Sequence, residues 1–484
     1  MAGIGFELKK IYRKEGIARS AMGVLYSTLV TIGPMVLVIC AILFLYFFLG
    51  VTGISYADRE LLSSTILYTF IFSVILTSPF NVVLSRYLAD KFYLEEYGGI
   101  LDSYYMGLTL CAGIASLMFV PLAFSLRMRG GVDIPFIAAT YVQWISLVIL
   151  FFSITYLHAT KDYKAIAVFF LIGMAVSFLL SAAFYFLGRQ DVVHAILYGL
   201  SSGFFVIATL NFSYIKRYFY GRAGKYTECL TYMLAYKRLL FANLFYILGL
   251  YVHNFVFWTV PGRTVIASTY YTNLSYDMAS CLAMFTNIFV MVSFTVVVET
   301  RFHNVYKEHM EAVLGGTYKM IVKSKKKLFR TLTQQISQIF GSQVAITSVI
   351  FLLVVSFGTR MGIDSVTLAI YPILAVSFLG VFMMYGNLVY LFYFADLTGA
   401  FLTGAVFFAV TLIGSLVSCN FSASFWGIGV FAGMLAGWTF SFFRIRWIEK
   451  NLETYIFCDY KVIDTMKSSS KGKIVYSKKA GHAE

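Results

Sequence analysis

Charge is what this chain has least of. Only 13% of its 484 residues are Asp, Glu, Lys or Arg, whereas 60% are hydrophobic and the mean hydropathy is +0.79. A soluble globular chain carries about 25% charged residues, so too little polar surface remains here to face water on all sides. Cysteine and histidine are equally sparse, six of each. Cys40, Cys111, Cys229, Cys281, Cys419 and Cys458 are scattered without C-x-x-C or metal-ligand spacing and read as small core hydrophobes, so neither a metal site nor a disulfide framework is expected. Of the six prolines, Pro34, Pro79 and Pro372 fall inside apolar runs, where they kink helices. The polar segments hold no D-x-D and no Gly-rich phosphate loop, leaving no visible site for nucleotide-sugar transfer or ATP hydrolysis. One D-x-E, Asp58-Arg59-Glu60, lies between two apolar runs, and one His, His253, lies within a run. Neither makes an active site alone, so the expectation is a non-enzyme without cofactor.

What is present in abundance is long apolar sequence. A helix needs about 20 apolar residues to cross a bilayer, and twelve stretches qualify: 21–50, 61–85, 104–126, 135–158, 165–187, 193–215, 236–260, 276–299, 342–357, 366–394, 399–418 and 423–443. They are continuously apolar, which selects helices over the alternating strands of a barrel. The run after residues 1–20 is too long for a cleaved signal and lacks its cleavage site, so the first helix is expected to be retained. With the N-terminus inside, 32 of the 38 Lys and Arg fall on the cytoplasmic side; Arg59, Arg127, Arg129, Arg189, Arg263 and Arg360 are the six outside. That asymmetry places both termini in the cytoplasm. It also accounts for the net charge of +15 through anionic lipids of the inner leaflet, with no call for nucleic acid.

The fold class expected is therefore an all-α polytopic membrane protein of about twelve helices. A weak repeat divides it: Val82-Val83-Leu84-Ser85-Arg86-Tyr87 and Val297-Val298-Glu299-Thr300-Arg301-Phe302 lie 215 residues apart, the offset that also carries helix one onto helix seven. The expected organisation is a cytoplasmic segment 1–20, a six-helix bundle 21–215, a linker 216–235, a second six-helix bundle 236–445, and a cytoplasmic tail 446–484, partly disordered. The second bundle carries a cytoplasmic loop, 301–341. Within it Ile321, Leu328, Leu332, Ile336 and Ile339 recur at helical spacing beside Lys323, Lys325, Lys326, Lys327 and Arg330, the pattern of an amphipathic helix on the inner leaflet. Gly429, Gly433 and Gly437 form a small-xxx-small ridge for close helix packing.

Polar groups inside a bilayer are costly and mark pathways or packing contacts. Candidates for a substrate path are Asn81, Asn211, His253, Asn254, Asn287, Tyr371, Tyr385 and Asn387, an uncharged set of amides, hydroxyls and aromatic faces suited to sugar. Glu299 and Asp277 lie near helix ends, and Glu299 is a candidate ion-pair partner of Arg86 or Arg301 at the inner interface.

Several stretches resemble the PelG family, the membrane transport component of Pel exopolysaccharide biosynthesis. They are the opening Met1-Ala2-Gly3-Ile4-Gly5-Phe6-Glu7-Leu8-Lys9-Lys10, the segment Ser78 to Asp90, the segment Val298 to Tyr306, and Tyr393-Phe394-Ala395-Asp396, and the resemblance runs to about residue 457. It implies membership of the multidrug/oligosaccharidyl-lipid/polysaccharide superfamily, with two pseudo-symmetric bundles around a central cavity in the bacterial inner membrane. It implies export of an N-acetylgalactosamine/N-acetylglucosamine-type polymer, uncharged in transit, made by a cytosolic PelF-like glycosyltransferase recruited by PelD- and PelE-like membrane proteins. The alternatives are an ion-coupled efflux transporter of small molecules, which requires a buried acidic residue, and a lipid-linked oligosaccharide flippase, which requires a basic cavity.

Overall fold

A computed structural model describes residues 37–458 apart from 161, 222, 223, 225 and 261. The segment 1–20, the first part of the helix expected over 21–50 and the tail beyond 458 lie outside the described residues. The described chain is helical apart from one small hairpin. In order come α1 (Leu37–Phe48), α2 (Tyr56–Tyr93), α3 (Ile100–Met128), α4 (Ile134–Thr160), α5 (Tyr163–Phe186), α6 (Val192–Tyr218), α7 (Tyr226–Ala235) and α8 (Lys237–Phe257). Strands β1 (Thr264–Ile266) and β2 (Tyr270–Thr272) follow, then α9 (Leu274–Val297), α10 (His303–Gly315), α11 (Tyr318–Phe357), α12 (Ser365–Tyr393), α13 (Leu397–Ser418) and α14 (Ile428–Cys458).

Ten of these are long and apolar enough to cross a membrane: α2 to α6, α8, and α11 to α14. All ten coincide with apolar runs in the sequence. Exposed large apolar side chains such as Leu117, Leu179 and Leu352 cover their outer faces, as a lipid environment requires. Polar N-caps start several of them. Ser55 accepts from the Asp58 amide at 3.2 Å and donates its hydroxyl to the Asp58 carboxylate at 2.7 Å, so the D-x-E of residues 58–60 lies at the capped start of a helix. Asp162, Asp364 and Asp396 cap α5, α12 and α13, each carboxylate accepting from the amide three residues on. Pro79 and Pro372 lie inside α2 and α12 as expected, Pro121 lies inside α3, within the run 104–126, where the sequence reading named no kink, and Pro34 lies outside the described residues.

The buried apolar residues form two clusters, one drawn mainly from α1 to α7 and the other from α8 to α14. The order of neighbours in the first recurs in the second. Helix α2 packs on α4, α3 on α4, α4 on α6 and α5 on α6; likewise α9 packs on α12, α11 on α12, α12 on α14 and α13 on α14. The glycine ridge of α14 lies against α13, where a Cβ at Gly433 would fall on the Thr411 hydroxyl.

Residues 301–341 depart from a loop with a surface helix. They form α10 and the first part of a single 40-residue helix, α11, whose remainder crosses the membrane. The apolar stripe is there, but Leu328, Leu332 and Ile339 are buried in protein rather than laid on lipid. Helix α9 ends in a π-turn, Val298–Phe302, on the second copy of the sequence repeat.

Candidate functional site

The two clusters meet along α2 and α8, which run antiparallel. The contacts descend in order from the end poor in Lys and Arg, the outer end in the sequence reading, to the basic end. Tyr68 stacks on Trp258 at 4.8 Å and Phe72 lies parallel to Phe255 at 5.5 Å. Further along, the Asn243 amide donates to the Ser78 carbonyl at 2.7 Å, and the Arg86 guanidinium sits 4.6 Å above the Tyr236 ring. Aromatic faces dominate the seam, and aromatic pairs add about 0.5–1.5 kcal/mol each beyond burial.

The end of the seam poor in Lys and Arg is latched by the β1–β2 hairpin, which pairs Thr264 with Thr272 and Ile266 with Tyr270. In its three-residue loop the Thr269 N–H donates to the Ile266 carbonyl at 3.1 Å, with Ala267 and Ser268, the two central residues of that turn, both at φ +47°. A turn of this kind favours Asn-Gly, so Ala-Ser is held there at a cost that docking must offset. The docking contacts are specific. The Tyr68 hydroxyl donates to the Tyr271 carbonyl at 2.7 Å and accepts from the Tyr271 amide at 3.0 Å. Thr65 reaches the Tyr270 hydroxyl at 3.3 Å, and Ser125 on α3 meets Thr269 at 2.9 Å. Gly130 lies so close to the turn that a Cβ there would be 2.5 Å from the Ala267 carbonyl. The hairpin thus belongs by sequence to the α8–α9 connection but rests on α2 and α3.

The basic end is tied by α7. Lys91 bridges Glu228 and Glu96, each at 2.7 Å, and the Tyr232 hydroxyl donates to Asp90 at 2.5 Å. Cys229 is buried under this network, and burial first, with Glu228 and Asp102 adding, pushes its thiol up to about 12.

The candidate path residues are placed as follows. Asn81 on α2 donates to the Phe151 carbonyl of α4 at 3.0 Å, and Asn287 on α9 donates to the Phe378 carbonyl of α12 at 3.1 Å while accepting from Gln343 at 2.7 Å. Each amide pins its own cluster in the same way. Asn211 is fully buried on α6, with neither amide atom partnered. His253 pairs through Nδ1 with the Tyr276 hydroxyl at 2.9 Å, and neighbouring Asn254 donates to Asp277 at 2.7 Å. Tyr371 is buried against Phe351, Asn387 donates to Ser441 at 2.9 Å, and Tyr385 lies between Tyr246 and Phe294. His253 and Asn254 are therefore gathered around Asp277 and Tyr276, whereas Asn81, Asn211 and Tyr371 are held by separate neighbours. Of the ion-pair candidates, Arg86 covers Tyr236, Arg301 is exposed, and the Glu299 side chain lies outside the described residues.

Sequence reasoning missed Tyr68, Trp258, Tyr270 and Tyr271 at the latch. The β-branched and aromatic runs 264–266 and 270–272, three residues apart, were the available signal. It also left Asp277 without a partner, whereas the fold surrounds it with Asn254, the Trp258 indole N–H and the Asn273 amide. Three donors make it a tie between α8 and α9. The fully or nearly buried carboxylates Glu60, Asp102 and Asp396 each lie at the N-cap or within the first five residues of a helix, where the helix dipole stabilises the anion.

The family model of PelG, described as an exopolysaccharide exporter (EPS-E), matches residues 1–457. No curated protein matches the chain. Among solved structures, an inward-facing multidrug resistance MATE family transporter of the MOP superfamily is similar at a TM-score of 0.57 and 11% identity, covering 85% of this chain and 95% of that one. An outward-facing one reaches 0.58 and 12%, covering 88% and 96%. A variant of the Vibrio cholerae MATE transporter VcmN gives 0.58 and 12%, covering 92% and 98%. Likeness at such low identity establishes the fold, and it fits both facing states equally. The chain is a multi-pass transporter of the bacterial inner membrane with a MATE-like fold, and it belongs to the PelG family of exopolysaccharide exporters.

Proposed function

We propose that this protein exports a Pel-type polysaccharide, an N-acetylgalactosamine/N-acetylglucosamine-type polymer, along a path between two six-helix halves. The observation that carries the reading is the α2–α8 seam: aromatic, uncharged along most of its length, and latched at one end by a hairpin. Parted, Tyr68, Phe72, Phe255 and Trp258 offer faces on which sugar C–H groups stack, and Asn254 and Tyr385 offer polar groups near α8. The repeated neighbour order supports two halves of six helices, with the α1 segment and α9 completing the twelve. The 32-to-6 division of Lys and Arg supports cytoplasmic termini and makes the hairpin end external.

A PelF-like glycosyltransferase, with PelD- and PelE-like companions, delivers the glycan at the basic end. Processive synthesis favours a path that stays open while the polymer passes, since a long chain is not enclosed in one rocking cycle. The ion-coupled alternative gains little from carboxylates confined to helix starts. Deleting the gene and complementing it tests the reading: secreted Pel-type polymer is lost and restored. Unchanged secretion of every polysaccharide refutes it.

A further inference from the structure

At the basic end, α10, the start of α11 and the end of α14 form one compact unit. Lys325 bridges Glu453 at 2.6 Å, Lys327 bridges Glu308 at 2.6 Å, and His309 bonds Ser324 at 2.8 Å, over buried Leu328, Ile448 and Leu452. Its distance from the bilayer follows from the helices. Phe329 stacks on Phe394 at 5.6 Å, two residues before Asp396 caps α13. Helix α13 has 22 residues, about 33 Å, which is one bilayer core, so Phe329 stands at the core boundary. Helix α11 begins eleven residues earlier, at Tyr318, about 16 Å farther along its axis. The headgroup layer is only about 5–8 Å thick per side.

Beyond the lipid, then, this unit presents an unusual face. Lys319, Lys323, Lys326 and Arg330 recur at i, i+4, i+7 and i+11 on the outward side of α11, all exposed, and none forms an ion pair with a described residue. Beside them stand Tyr318 at 77% exposure and Val322 at 42%, with Leu314 at 71% across the turn from α10. Lipid contact explains exposed apolar residues on the spans but not here. The chain's own ends do not complement this face. Residues 1–20 carry five Lys and Arg against two Glu, and residues 459–484 carry six Lys against three acids. A second copy would bring the same sign of charge.

We propose that this face of α11 docks a cytosolic protein whose acidic rim surrounds an apolar centre. Resting on the function proposed above, that protein is the glycosyltransferase that hands over the glycan. Acidic groups pair with the four cations and set orientation, while Tyr318, Val322 and Leu314 seat the apolar centre. The test places a photo-crosslinking residue at Val322 of the full chain, in cells that carry the export system and an epitope-tagged glycosyltransferase. Irradiation is expected to give an adduct bearing the tag. The variant Lys319→Glu/Lys323→Glu/Lys326→Glu/Arg330→Glu lowers adduct yield about tenfold or more at unchanged membrane level, and the corresponding Gln variant loses less. No tagged adduct, an adduct indifferent to charge reversal, or label found on phospholipid overturns the proposal. The two readings fail separately. Secretion lost on gene deletion with no adduct removes the docking alone, whereas an adduct with secretion unaffected by deletion removes the export reading alone.

Discussion

Replacing Tyr68 by Phe tests whether the hairpin is the outer latch. The substitution keeps the ring stacked on Trp258 at 4.8 Å and 13° and removes only the hydroxyl. That hydroxyl satisfies both main-chain groups of Tyr271, at 2.7 and 3.0 Å. Leaving a partly buried donor and acceptor unpaired costs about 1–3 kcal/mol, so the docked-to-undocked ratio falls roughly 5- to 150-fold. Strain in the Ala267-Ser268 turn acts in the same direction once the anchor is lost. The assay is a Ser125→Cys/Thr269→Cys pair, since these hydroxyls stand 2.9 Å apart across the hairpin–α3 contact. With Tyr68 intact, mild oxidation of membranes cross-links the pair within the chain and stops polymer secretion, and reductant restores it. With Tyr68→Phe, cross-linking slows markedly. Equal cross-linking rates with Tyr and Phe, or full secretion through the cross-linked protein, would refute the latch.

Gly433→Val puts side-chain atoms onto Thr411 and is expected to destabilise the protein by about 1–3 kcal/mol, whereas Gly113→Val, with open space at its Cβ, leaves the melting temperature in detergent unchanged. Asn287→Ala strips a partner from both the Phe378 carbonyl and Gln343 and costs about 1–3 kcal/mol by the same thermal assay. His309 is buried, and burial holds its imidazole below the usual histidine range; Glu453 opposes this and Lys325 reinforces it. Because the unfolded chain takes up a proton near pH 6.5 while the folded one resists it, the neutral ring's contribution is complete above about pH 6.5 and lost as pH falls. Melting temperatures measured from pH 7.5 to 5.0 should therefore fall, and His309→Gln should flatten that slope.

Most of the fold was legible because bilayer crossing is a local requirement: about 20 apolar residues without a break announce a helix whatever they pack against. The ten spanning helices lie on apolar runs for this reason, and the repeat around Arg86 and Arg301 hinted at the recurring order of neighbours. Helical spacing from Ile321 to Ile339 likewise foretold a helix, but periodicity does not say what covers its apolar face, and protein covers it here. The site was less legible. Single polar residues inside runs look alike in sequence, whether they pin two helices, as Asn81 and Asn287 do, or stand unpartnered, as Asn211 does.

The amino-acid sequence by itself determined that this protein lives in a bilayer, where its helices run, which end is basic and which family it resembles, since each depends on composition, run length or local motif. Only the tertiary structure decided that α2 and α8 close a seam, that a strained hairpin crosses from one apolar cluster to rest on the other, and that Lys319, Lys323, Lys326 and Arg330 share one exposed face of α11. Those features depend on contacts between residues up to 205 positions apart, such as Thr65 and Tyr270, and no local rule carries information over that distance.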